Sequence, residues 1–363
     1  MSILQLVEKC VVGLWQPPQG LAPKPGVNGQ GGLWIDPVAF LNSIDAQSLA
    51  AWALTCAGRL STRCLPRPSR GAPVVYKDSS ILLTSFVAAA WHLSYEKITE
   101  WLRRYDALAI ALGYDQVDAQ GNRRTISLAQ YSRRVRELGL LPYFLCFIAL
   151  VAVLLRLGII KGWDLIVDST LLQAWYHQDP DARWSWPTPW RGSILGYKVH
   201  TILCRCSYLP LFFVVTPANC NDGPLALPLL AATVLLYGLR VLVVRADAAY
   251  FNYELLGFIR DVLHASPCVD YNLRRKGKRF VATLFFLRQW RRVMGPRAHI
   301  ERHFAWLKRY FGLADFQVQG WTAVTRHVFQ VYIVVLIVAL IATLHGRPEL
   351  ITSRSRVLAF VGK

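Results

Sequence analysis

The sequence predicts an α/β fold with a mixed sheet and flanking helices, preceded by a helical region. Three observations carry this. From about residue 160 onward, short apolar runs alternate with runs of helix length. Two of the short runs, Leu165-Ile166-Val167 and Val243-Val244-Arg245-Ala246, each end on an aspartate, Asp168 and Asp247. Earlier in the chain, from Asp78 to about Leu112, apolar residues recur at helical spacing instead.

Taken in order, residues 1–71 read as a flexible basic arm. Gly and Pro cluster in Gln16-Pro17-Pro18 and Pro23-Lys24-Pro25-Gly26, and Arg59, Arg63, Arg67 and Arg70 stand among prolines. A short helix is expected over 36–56. Residues 72–158 read as a run of helices. Ser79 and Ser80 are placed to cap the first, Glu96 to Leu102 forms the second, and Ser127 with Tyr131 to Arg136 forms a third, basic one carrying Arg133 and Arg134. This order is similar to a helix-turn-helix module that binds DNA.

Residues 159–345 form the α/β region. Strands are expected at Trp163 to Val167, Gly196 to Cys206, Leu209 to Thr216, Leu239 to Val244 and Cys268 to Leu273. Helices are expected at Pro224 to Tyr237 and Phe251 to Leu263. Residues 346–363 are left as a tail.

Lys and Arg total 41 against 22 Asp and Glu, a formal charge of +19. Such a surplus attracts polyanions, either nucleic acid or an anionic membrane. The hydrophobic fraction of 54% and the mean hydropathy of +0.30 raise a membrane alternative. The two uncharged runs that would serve it, Leu140 to Leu155 and Val328 to Leu344, fall slightly short of the ~20 residues a span needs. The eight cysteines contain no Cys-x-x-Cys pair, and no zinc site is evident. The N-terminus has no basic segment leading into an apolar stretch, so no signal peptide is expected.

An acid that closes an apolar strand is either a turn residue or a site residue. In open α/β sheets the chemistry lies beyond the C-terminal strand ends, where Asp168 and Asp247 stand. Carboxylates brought together by neighbouring strands repel unless a proton or cation joins them, and oxygen donors select hard ions. A third acid, Glu301, lies in the stretch Arg297 to Phe311. There Ile300, Phe304 and Leu307 mark a buried helix face, while Arg297, Glu301 and Lys308 at i, i+4 and i+11 share another side. Arg297 and Glu301 also suit a plain helix-surface ion pair.

These residues carry a resemblance. The chain is similar to bacterial insertion-sequence transposases of the DDE superfamily, in the fourth and fifth insertion-sequence families. Their pattern at the third acid is Tyr, two residues, Arg, three residues, Glu, six residues, Lys. Arg297, Glu301 and Lys308 match it, and Met294 replaces the tyrosine. Val167-Asp168-Ser169-Thr170 resembles the first-acid motif, and Gly196-Tyr197-Lys198-Val199-His200 the segment that follows it. Thr216 to Asp222 resembles the next turn, and Ala246-Asp247-Ala248-Ala249-Tyr250 the second-acid motif. Tyr76-Lys77-Asp78 through Tyr95, and Tyr131 to Arg134, resemble the helical leader. The likeness covers about residues 72–345.

The resemblance implies a ribonuclease-H-like sheet with no large insertion between Asp247 and Glu301. It implies two Mg2+ or Mn2+ ions held by Asp168, Asp247 and Glu301, the catalytic residues of DNA strand cleavage and strand transfer. Contacts to DNA are expected from Arg297, Lys308, Lys198, Arg133 and Arg134, and from the cationic stretch Arg274, Arg275, Lys276, Lys278 and Arg279. The implied partners are double-stranded DNA with terminal inverted repeats, target DNA and a second copy of the chain on paired ends. The expected place is the bacterial cytoplasm, at the nucleoid, with no membrane partner. Trp184, Trp186 and Trp190 suit either loop anchoring or stacking on unpaired bases. Asp179, Asp181 and Asp222 stand in turn-like contexts and are not assigned to metal.

Overall fold

The computed structural model describes residues 76–118, 120–121, 123–186, 192–269 and 294–361, together with a short antiparallel pair, Gly26–Val27 with Leu33–Trp34. The rest of the arm expected over 1–71, its helix at 36–56, Trp190 and the cationic stretch Arg274 to Arg279 lie outside the described residues. The chain divides into two compact units, one of residues 1–157 with 333–363 and the other of residues 158–332.

The second unit is built on a six-stranded mixed sheet. Its strands are β1 (Asp164–Gln173), β2 (Arg183–Ser185), β3 (Ile194–Cys204), β4 (Pro210–Pro217), β5 (Val243–Ala246) and β6 (Ser266–Val269). The order is β2-β3-β1-β5-β6, with β4 also paired to β3. β1, β3 and β4 form an antiparallel meander, while β5 runs parallel to β1 and β6 parallel to β5. The central strand carries Leu165, Ile166 and Val167, all fully buried. Burial on both faces explains why this stretch reads as a continuous apolar run rather than an alternation. β5 begins at Val243, four residues later than the apolar run suggests, and β6 starts two residues earlier than expected.

The register is fixed where β1 meets β3, from Leu165 opposite Cys204 to Gln173 opposite Gly196. Gly196 is a close-approach glycine. A Cβ there would lie 2.0 Å from the Leu172 carbonyl oxygen. Real side chains cannot sit that near backbone, so Gly196→Ala forces the strands apart. A loss of about 2–4 kcal/mol is expected, in the range of strained or overpacked sites. Urea unfolding of the full chain checks this.

The helices of this unit are α6 (Gly223–Tyr237), α7 (Tyr253–Gly257) with a π-turn at Phe258–Val262, and α8 (Ala298–Tyr310), followed by the start of α9 (Trp321–Leu344). The helix expected over Phe251 to Leu263 is thus shorter, because Asn252 caps Glu254 and delays its start. α9 packs on the sheet through Phe329 and Tyr332, whose rings lie 4.5 and 4.8 Å from Phe213. Tyr332 also shares a hydrogen bond with Thr201 at 2.7 Å. Among the described residues α9 is the one helix long and apolar enough to cross a bilayer, and 72% of its apolar window is buried. The helices Leu128–Glu137 and Leu141–Arg156 would qualify only as a joint span, and they are bent by 72°.

The first unit holds α1 (Asp78–Trp91), α2 (Tyr95–Arg104), α3 (Asp106–Ala111), α4 (Leu128–Glu137), α5 (Leu141–Arg156) and α10 (Arg354–Val361). Ser79 and Ser80 do not cap α1. The helix already starts at Asp78 behind Lys77, which places both serines inside its first turn. Ser94 does cap α2, and Ser127 forms a capping box with Gln130 at the start of α4. Arg134 turns inward and pairs with the buried Asp78 and, at 2.8 Å, with Glu137. Arg133 is exposed and stands 3.6 Å from Glu137.

Candidate active site

Asp168 and Asp247 meet because β1 and β5 are adjacent and parallel. Val167 pairs with Ala246, so the next residue of each strand is an aspartate. Beyond that point β5 turns away into a 3-10 turn, Ala248–Tyr250, which Asp247 caps by accepting from the Ala249 amide. β1 continues past Asp168 for five residues with no strand paired on this side among the described residues. α8 runs beside that extension. Its buried residues Ile300, Phe304 and Leu307 are the face expected from their spacing, and Lys308 donates to the Leu171 carbonyl at 2.8 Å.

α8 brings the third acid. Arg297 precedes the helix and bridges two carboxylates, at 3.6 Å from Asp168 and 3.0 Å from Glu301. The Arg297–Glu301 pair expected from spacing is therefore present, extended to Asp168. The Asp168 side chain is 14% exposed, whereas Glu301 is 58% exposed. Burial pushes the Asp168 carboxyl up to about 7, with Asp247 and Glu301 adding to the rise. Its bond from the Ser169 amide and the Arg297 guanidinium pull the other way. Burial thus disfavours the charged form of Asp168 more than the Arg297 guanidinium favours it.

The donors near this point are carboxylate oxygens, the set that suits Mg2+ or Mn2+. A cation beside Asp168 would favour its charged form. Among the described residues no three acids, histidines or cysteines are gathered tightly enough to share one ion.

The other predicted residues are placed as follows. Lys198 points to the inner side of the turn after β4, donating to the Cys220 carbonyl at 2.8 Å with Asp222 3.3 Å away. His200 is fully buried and hydrogen-bonds Thr216 at 3.0 Å. Burial lowers its pKa to about 4, so the ring is neutral near pH 7. Met294, at the position of the family tyrosine, is buried just ahead of the 3-10 turn Gly295–Arg297. Trp184 and Trp186 are 53% and 76% exposed.

Sequence reasoning passed over Asp164. It is buried, accepts from Arg245 at 2.9 Å and from Arg205 at 2.5 Å, and ties the starts of β1 and β5 to the end of β3. Its position at the head of the same apolar run was the available signal. Asp179 and Asp181 prove to be helix anchors. Asp179 accepts from the Tyr197 hydroxyl at 2.7 Å and the Gly320 amide at 3.1 Å, and Asp181 accepts from the Trp321 amide at 2.8 Å, at the start of α9.

No curated protein matches the chain. A cryo-EM structure of a piggyBac transposase synaptic complex with hairpin DNA aligns over 94% of this chain and 79% of that one, at 9% identity and a TM-score of 0.40. Residues 161–337 match the family model of the transposase DDE domain. That match takes in the sheet, Asp168, Asp247 and Glu301, and it supports a DDE-type transposase.

Proposed function

We propose that the chain is a bacterial insertion-sequence transposase that cuts and joins DNA with Asp168, Asp247 and Glu301. The observation that carries this reading is the pairing of Val167 with Ala246, which sets two aspartates side by side at parallel strand ends under α8. The meander of β1, β3 and β4 extended by two parallel strands supports a ribonuclease-H-like sheet. The acids would hold two Mg2+ or Mn2+ ions, which when bound supply an activated nucleophile and stabilise the leaving oxygen. Asp168 and Asp247 would face both ions, and Glu301 would join them once Arg297 turns from Asp168 to a DNA phosphate. The protein's own share is positioning and charge.

Lys308 lies farther along the same helix and would follow the same strand of DNA. Arg133, exposed on α4, and the stretch Arg274 to Arg279 would hold the phosphate backbone, with the helices of residues 72–158 as the DNA-binding region. Lys198 serves better as an internal counter-ion than as a phosphate contact, given its bonds to Cys220 and Asp222. Double-stranded DNA with terminal inverted repeats and target DNA are the partners, two copies of the chain would act on paired ends, and the place of action is the nucleoid in the cytoplasm.

The test incubates the full chain with labelled element ends and Mg2+. Cleaved ends and joined products are expected, and EDTA should abolish both. Affinity for the ends should fall at least about tenfold between 50 and 200 mM salt if three or more phosphates are neutralised. Intact DNA in Mg2+ would refute the reading. Cleavage without joining would reduce it to a nuclease.

A further inference from the structure

Behind the two strand-end aspartates, several polar side chains converge on a third carboxylate, Asp222. It stands at the N-cap of α6, where an aspartate ordinarily accepts from its own helix's second or third amide. It makes no such bond. The side chain turns instead toward the sheet. Its Oδ1 accepts from the Ser169 hydroxyl at 2.8 Å and lies 3.3 Å from both Lys198 Nζ and His200 Nδ1. With His200 neutral, Lys198 supplies the countercharge. Ser169 immediately follows Asp168, and His200 is its cross-strand partner on β3.

The same point touches the second aspartate's turn. A Cβ on Gly223 would come 3.3 Å from the Ala249 carbonyl oxygen, so the start of α6 abuts the turn that Asp247 caps. Tyr250 ends that turn and is buried. Burial, then the Asp222, Asp168 and Asp247 carboxylates, raise the pKa of its hydroxyl, which places the ring among all three. Asp222 is therefore linked on one side to the residue after Asp168 and on the other to the turn after Asp247.

We propose that Asp222 is a positioning residue: it holds Ser169 from β1 and seats the start of α6 on the Asp247 turn, and so sets the separation of Asp168 and Asp247 and their affinity for a divalent ion. The proposal rests on the reading of those two aspartates as metal ligands. Forgoing the helix cap gives up a local hydrogen bond in exchange for one that spans 53 residues. Supporting contacts of this kind are worth about 10- to 100-fold in metal affinity elsewhere.

The experiment measures Mn2+ binding to the full chain without DNA, by electron paramagnetic resonance, for the unaltered protein, Asp222→Asn, Ser169→Ala and Gly223→Ala. Asp222→Asn should weaken Mn2+ binding about 10-fold or more, and Ser169→Ala and Gly223→Ala several-fold, with circular dichroism spectra and affinity for DNA ends unchanged. Should Asp222→Asn unfold, leaving Lys198 unbalanced, the two milder variants decide the matter. Variants that fold and bind Mn2+ like the unaltered chain overturn the positioning role alone. No Mn2+ binding by the unaltered chain overturns the ligand reading and this inference with it.

Discussion

Asp168→Asn is expected to lower cleavage of labelled DNA ends by at least about 10³-fold, ~4 kcal/mol of lost transition-state stabilisation, while affinity for the ends stays within a factor of about two. The substitution keeps the shape of the side chain and removes the charge that faces both Asp247 and Arg297. It should also make the metal-free protein more stable at neutral pH. The folded-state pKa of about 7 lies above the ordinary carboxylate value, so folding favours the protonated form. That contribution is fully present below about pH 4 and is lost as pH rises through 7. In EDTA at pH 8, Asp168→Asn should therefore gain on the order of 2–4 kcal/mol over the unaltered chain, and the gain should shrink toward pH 4. Thermal melts across that range check the sign. Undiminished cleavage by the variant would remove Asp168 from the active site.

Asp164→Ala should do the reverse. Asp164 is 1% exposed and bonds Arg245 on β5 and Arg205 just past the end of β3. Removing it deletes the shared carboxylate from a buried ion pair, for which a loss of about 3–5 kcal/mol is typical. Against a total stability of about 5–15 kcal/mol for a domain, that change should bring the urea midpoint down sharply and leave much of the chain unfolded at 37 °C. Stability, activity and DNA binding should fall together. A variant inactive yet as stable as the unaltered protein would mean that Asp164 belongs to the chemistry and not to the frame. Two aspartates four residues apart on one strand thus have opposite expected signatures.

Why one was legible in the sequence and the other was not is a matter of range. Asp168 and Asp247 could be read because each closes an apolar run, and the rule about C-terminal strand ends is local to the strand. Ile300, Phe304 and Leu307 announced the buried face of α8 for the same reason, since a 3.6-residue period is visible within one helix. The partners of Asp164 lie 41 and 81 residues away, and no local pattern encodes them. Arg134 was expected to contact DNA from a basic helix, but its partner Asp78 is 56 residues distant. Alternation along β3 put Lys198 and His200 on one face without telling what that face meets. Asp222 was legible only as a residue in a turn-like context, because its side-chain partner Ser169 lies 53 residues away. Arg297 between Asp168 and Glu301 was half legible: the helix spacing gave Glu301, and only the fold gave Asp168.

The length of β1 has a consequence apart from chemistry. β5 accompanies it only from Asp164 to Val167, so among the described residues the segment from Asp168 to Gln173 has a strand neighbour on one side alone. A bare strand flank of that length offers backbone donors and acceptors to any other extended chain and invites self-association. α8 lies along that flank, and Lys308 occupies the Leu171 carbonyl with a cationic side chain, the kind of residue that guards open strands. The helix that carries the third acid is thus also a shield against aggregation. Selection for solubility would then retain α8 and Lys308 whether or not the chain acts on DNA.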